Sequence, residues 1–212
     1  MNNRLTFLII FIFILTNSLL SQKQLVHEKK VYTNQEGRLF VQKEMPIYLR
    51  IATNSSEDAE SFLLHSVTSK KYSNPMYFDS EGKNTIRSPW AVDTITRKTK
   101  YPLEDVVFEV WADSKPPVTT YTFGDNKIYK NNNKLYLKGG QQISLNSTDA
   151  LSGIENIYHS IDKAAFSKYS NPIPLTQERE YFIKFYSVDN VGNVEITDSI
   201  TVVIDGTNPK TD

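Results

Sequence analysis

One short stretch of this chain is written twice. Tyr-Ser-Asn-Pro occurs at residues 72–75 and again at 169–172, a shift of 97 positions. Leu39-Phe40-Val41 matches Leu135-Tyr136-Leu137, and Ile47-Tyr48-Leu49 matches Ile143-Ser144-Leu145, both at a shift of 96. His65-Ser66-Val67 corresponds to His159-Ser160-Ile161 at 94, and Ala91-Val92-Asp93 to Ser187-Val188-Asp189 at 96. The ends correspond too: Asp113-Ser114-Lys115-Pro116 against Asp205-Gly206-Thr207-Asn208, with the second proline one place later at Pro209. Matches in one order with such small drifts define a module of about 90 residues used twice.

Inside each copy the apolar period is two. Phe108, Val110 and Ala112 alternate with Val107, Glu109, Trp111 and Asp113, and Ile200, Val202 and Ile204 alternate with Thr201, Val203 and Asp205. This period describes strands with one buried face. Strands are expected at 38–41, 47–51, 62–68, 85–93 and 106–112, with counterparts in the second copy. Turn residues at 79–82, 138–140 and 189–193 separate them. Gly153 and Gly192 are expected where left-handed backbone is needed. The fold class that follows is all-β: two tandem immunoglobulin-like β-sandwiches. Propellers need more repeats and solenoids shorter ones.

The boundaries come from local chemistry. Pro116-Pro117 cannot continue a ladder, because two prolines remove two donors. At the N-terminus Arg4 precedes the apolar run Leu5–Leu15, followed by polar residues and Ser21. That pattern reads as a secretory signal peptide, with an uncleaved anchor as its rival; the run is shorter than the ~20 residues of a membrane-spanning helix. The expected organisation is a signal peptide at 1–21, a first sandwich at 22–116 and a second at 117–212. The chain has no cysteine, so an exported protein of this sequence holds together by packing alone. Its 24 basic and 24 acidic residues cancel, which argues against nucleic acid as a partner.

The segments Asp149–Asp162, Tyr169–Leu175 and Phe185–Glu195 (FYSVDNVGNVE) carry a family resemblance. They resemble the bacterial Ig-like repeat of leptospiral outer-membrane surface proteins, and are similar to Ig-like modules appended to secreted glycosidases. The resemblance covers residues 118–205 closely, and residues 31–114 only through the internal match. It implies an exported, surface-associated, non-enzymatic module, in the periplasm, at the outer-membrane surface or outside the cell. Peripheral association with an outer membrane is part of that implication.

The residues offer no catalytic constellation. His65 and His159 are repeat-equivalent, so they lie a domain apart and read as half-buried strand histidines rather than a catalytic pair. No nucleophile signature, phosphate loop or metalloprotease motif occurs. Cofactors are expected to be none. Asp149, Asp162 and Asp189 are carboxylates near glycine and asparagine, the type that holds calcium in exported β-modules. They sit on different loops with no DxDxDG run, so the favoured reading is that Asp149 and Asp189 bond their own turn backbones.

Two candidate binding features remain. Trp111 alternates out of phase with Val110 and could stack on a sugar, contact a partner, or pack against a neighbouring strand or the other domain. The first copy also carries four extra residues between Asp93 and Asp113 relative to Asp189 and Asp205. That loop holds Arg97, Lys98, Lys100 and Tyr101, a basic tyrosine-bearing hairpin that serves either as a contact site or as a solvated surface. The expected function is non-catalytic: adhesion or structural spacing at a cell surface, with a protein or glycan ligand. The alternative is an accessory carbohydrate-binding module of a secreted polysaccharide-acting system. A strand pair within an outer-membrane barrel is disfavoured, because the strands are too short and too polar.

Overall fold

A computed structural model describes residues 23–48, 50–52, 56, 58–64, 77–88, 91–93, 95–101, 106–124 and 128–206. Residues 1–21, expected to be a signal peptide, His65 and the first Tyr-Ser-Asn-Pro lie outside these residues. The described chain is all-β, and among the described residues no helix is long and apolar enough to cross a membrane.

The first copy contains β1 (Val31–Thr33), β2 (Leu39–Gln42), β3 (Arg50–Ala52), β4 (Ser61–Leu64), β5 (Gly82–Ser88), β6 (Ala91–Val92), β7 (Thr99–Lys100) and β8 (Val106–Asp113). The second contains β9 (Val118–Phe123), β10 (Tyr129–Asn131), β11 (Lys134–Leu137), β12 (Gln141–Thr148), β13 (Ile154–Ile161), β14 (Ser167–Lys168), β15 (Ile173–Leu175), β16 (Glu180–Asp189) and β17 (Asp198–Ile204). Among the described residues no sheet mixes strands of the two copies: the sheets are β1-β2-β8-β5 and β3-β4-β6-β7, then β10-β11-β17-β16-β13-β14 and β15-β12-β9.

The repeat is visible in the ladders. Phe40 pairs with Trp111 in a parallel register, and Tyr136 pairs with Val203 in another. In each copy the strand that enters the parallel pair is the second arm of an antiparallel hairpin, β1–β2 or β10–β11. The β10–β11 hairpin turns through Asn132 and Asn133, both at positive φ, which is the two-residue turn that matches strand twist.

The second copy is a two-layer sandwich. Ile143 and Leu145 from β12 and Ile173 and Leu175 from β15 meet Tyr181, Ile183, Phe185, Val202 and Ile204 from the facing sheet in one buried cluster. The alternation expected on β17 is observed, with Val202 and Ile204 buried. On β8 Val110 and Ala112 are buried and Val107 is exposed, as expected. Asp113 departs from that pattern. It belongs to the outward set with Val107 and Glu109, yet it is buried, because the second copy covers it.

The copies differ where the sequence differs. β16 runs unbroken for ten residues and joins β13 to β17 in one sheet. Its counterpart is split into β5 and β6, which pair with β8 and β4 in separate sheets. The intervening sequence contains Pro89, which has no N–H to give a ladder.

The segment before β1 belongs by its contacts to the second copy. Leu25 N and His27 Nε2 hydrogen-bond to the Tyr186 hydroxyl at 3.2 and 3.1 Å. The Gln24 amide donates to the Glu195 carbonyl at 2.8 Å, and Lys30 N donates to the Val191 carbonyl at 3.1 Å. The His27 ring lies 5.0 Å from that of Tyr158, which stacks on Tyr186 at 5.1 Å. Residues 24–30 thus cover a second apolar cluster of the second copy, formed by Tyr158, Phe166, Tyr186 and Val188.

Candidate functional site

Trp111 is packed rather than free. Tyr32, Phe40, Trp111 and Lys83 are successive register partners across β1, β2, β8 and β5, so one transverse row crosses the sheet. The ring centroids of Tyr32 and Phe40 are 6.1 Å apart, and those of Phe40 and Trp111 are 6.0 Å apart. The Arg38 guanidinium lies 5.6 Å from the indole centroid and the Lys83 ammonium 5.8 Å. Lys83 also pairs with Glu109 at 2.6 Å. The half-buried indole therefore meets cations and a neighbouring strand, the geometry of a cation–π contact.

The basic hairpin lies on the other sheet of the first copy. Its turn is organised by Asp93, whose Oδ1 accepts Ile95 N at 2.9 Å and Thr96 N at 2.8 Å. Those bonds, led by the one from Thr96, hold the Asp93 carboxyl below its ordinary pKa. Arg97 N donates to the Asp93 carbonyl and Asp93 N to the Lys98 carbonyl, which forces Arg97 into left-handed backbone at φ 59°. Arg97, Lys98, Lys100 and Tyr101 are all exposed, Tyr101 by 78%. The Lys100 ammonium lies over the Phe62 ring at 5.4 Å. Trp111 and the hairpin occupy different sheets and do not form one site.

Asp149 and Asp189 do converge, contrary to the expectation from their separate loops. Together with Asp113 they each place a carboxylate oxygen within 4.8 Å of the others. Their own-turn bonds are also present, as the favoured reading had it. Asp149 Oδ2 accepts Leu151 N and Gly153 N at 3.0 and 2.8 Å. Asp189 Oδ1 accepts Val191 N and Asn193 N at 3.0 and 2.8 Å. Gly153 and Gly192 adopt positive φ, as expected, and let these turns close. The turns aim both carboxylates at the end of β8, where Asp113 Oδ2 accepts Ser152 N at 3.0 Å and Oδ1 accepts Lys115 N at 3.1 Å. Asp162 stays apart, bonded to Arg179 Nη1 at 2.9 Å and to Phe182 N at 3.1 Å.

Burial dominates the electrostatics of Asp113 and Asp189. It raises the Asp113 carboxyl above its ordinary value, with Asp149 adding to the shift. It raises Asp189 to about 6, with Asp113 adding there. Among the described residues none of the three has a lysine or arginine within ion-pair distance. Asp113 and Ser152 were not legible as site residues; the signal available was the recurrence of Asp113 as Asp205 at the end of the second copy.

His159 sits half-buried on β13, with its ring edge-on to Tyr169 at 6.0 Å and its pKa lowered by burial. It matches the strand histidine expected from the sequence. Compared with protein-family models and with curated proteins, the chain matches none.

Proposed function

We propose that this is an exported, non-catalytic protein of two immunoglobulin-like modules, acting at a cell surface as a spacer that presents a binding surface. The strand order of the second copy supports the immunoglobulin-like assignment. Successive strands β12 and β13 fall in opposite sheets, and β13, β16 and β17 share one sheet as the corresponding strands of that fold do. The N-terminal sequence pattern supports export.

The observation that carries the spacer reading is the junction. The first copy ends inside the second: Ser152 N donates to the Asp113 carboxylate, and the Asn193 side chain donates to the Asp113 carbonyl at 3.2 Å. Lys43 N donates to the same carbonyl at 2.9 Å, and Ser114 is held by Glu81 at 3.0 and 2.7 Å. A linker bonded on both sides fixes an inter-module angle, which a flexible tether would not. Recognition belongs to the exposed hairpin at Arg97–Tyr101, because loops at the end of a sandwich are free to vary without cost to the core.

The test is a binding screen of the chain without residues 1–21 against glycan arrays and extracellular-matrix proteins. A saturable ligand, weakened by Arg97→Glu with Lys98→Glu, supports the reading. Saturable turnover of a glycosidase, esterase or protease substrate, abolished by one substitution, overturns it. Binding to insoluble polysaccharide that is lost on Trp111→Ala would favour the carbohydrate-binding alternative.

A further inference from the structure

We propose that Asp113, Asp149 and Asp189, with the Ser152 hydroxyl, bind one calcium ion at the junction between the two copies. The three carboxylates bring a formal charge of three minus into a pocket where two of them are buried, within 4.8 Å of one another. Like charges so close and so dry are relieved by a proton or by a counter-ion, and no side-chain cation supplies the latter among the described residues.

The second observation is Ser152. It is only 4% exposed, and its Oγ makes no hydrogen bond of ordinary distance and angle among the described residues. Its main-chain N–H is bonded to Asp113 Oδ2, which holds the hydroxyl beside that carboxylate. The hydroxyl lies near enough to the Asp113 carboxylate to act on it as a weak donor, so it faces the cluster. A buried hydroxyl without a well-formed bond is costly, and a cation at the cluster would satisfy its oxygen.

The donor set selects the ion. Carboxylate and hydroxyl oxygens, with no imidazole or thiolate, suit a hard cation. The N–H groups that already bond these carboxylates leave lone pairs on each oxygen, and Asp149 Oδ1 accepts no hydrogen bond among the described residues. Calcium takes about six to eight oxygens in adaptable geometry, whereas magnesium demands a near-ideal octahedron and keeps its waters. Three carboxylates and a hydroxyl supply most of a calcium shell, and the half-exposed side of Asp149 admits water for the rest. One ligand comes from the first copy and three from the second, so the ion would brace the angle between them.

The test uses the full chain, stripped with a chelator and titrated with calcium chloride near neutral pH by calorimetry and thermal melting. Binding of one ion and a melting temperature that rises with calcium are expected. Asp149→Asn keeps the acceptor for Leu151 and Gly153, so it should fold; it should weaken calcium binding at least tenfold while leaving the melt in chelator unchanged or higher. Ser152→Ala should weaken calcium severalfold. Exported calcium modules bind as weakly as about 1 mM, so the titration runs to about 10 mM. No heat and no shift by that concentration would overturn the site, as would an equal calcium response in Asp149→Asn. An equal response to magnesium chloride would overturn the assignment to calcium.

Discussion

Asn193 joins the two copies through Asp113: its Nδ2 donates to the Asp113 carbonyl oxygen at 3.2 Å and to Asp189 Oδ2 at 2.7 Å. One amide thus binds the end of β8 to the carboxylate that shapes its own turn. Glu195, two residues on, accepts Thr119 N at 2.7 Å and Ser187 N at 3.0 Å, tying the first strand after the junction to β16. The Asp189–Glu195 segment is therefore a clamp on the incoming chain.

Asn193→Ala should remove both bonds and leave the Asp113 carbonyl one partner short. A buried hydrogen bond lost with its acceptor left in place costs about 1–3 kcal/mol. Urea unfolding should show that loss. Asn193→Asp should cost more, because it adds a fourth carboxylate to the cluster. A stability equal to the parent in both variants would show that Asn193 is not part of the clamp.

Asp189 should titrate near pH 6 in chelator. Its folded pKa of about 6 lies above the ordinary 3.8 because of burial, so the folded chain holds that proton more tightly than the unfolded one. Its contribution to stability is fully present below pH 3.8 and declines as the pH rises through about 6. His27 and His159, lowered by burial, act the opposite way: the folded chain favours their neutral forms, and stability grows as the pH rises toward 6.5. Net melting temperature mixes these effects, so the check is carboxyl-carbon NMR. A midpoint for Asp189 below about 4, the value of a free carboxyl, would remove the burial argument.

Arg97 carries a conformational cost that a contact residue can bear and a purely structural one would not need. Arg97→Gly should stabilise the hairpin by up to about 1 kcal/mol, since left-handed backbone penalises every residue with a Cβ. Arg97→Glu with Lys98→Glu should leave melting nearly unchanged, because exposed charges contribute little to stability. The charge reversal should instead weaken an acidic partner and flatten its salt dependence. A destabilised Arg97→Gly would mean that the guanidinium has a structural partner.

The all-β class and the core faces were legible because period two and the internal match are local properties of the chain. Val110, Ala112, Val202 and Ile204 are buried as their alternation requires. The trio was not legible, because convergence depends on how Asp113 enters the second copy, and no spacing within one copy encodes that. Alternation even misplaces Asp113, since it describes one sheet's faces and takes no account of a neighbouring module. The path of residues 24–30 was hidden for a related reason. An isolated short segment has no periodicity, and its fit to Tyr158 and Tyr186 is a property of the surface that it meets.

Gly192 lies under that segment, and it should be intolerant of a side chain for two separable reasons. Its φ is 92°, which an alanine adopts only with strain. A Cβ there would also collide with the Glu28 carbonyl oxygen, a backbone atom that cannot swing aside without moving residues 24–30. Gly192→Ala should therefore cost more than the roughly 1 kcal/mol of a left-handed glycine alone. A chain that begins at Val31 isolates the second effect. In that background Gly192→Ala should cost only the strain, and Tyr158 and Tyr186 should become more accessible to solvent quenchers. The two costs form a cycle whose coupling measures the contact. An identical cost in both chains would show that the segment does not rest on Gly192, and its assignment to the second copy would fail.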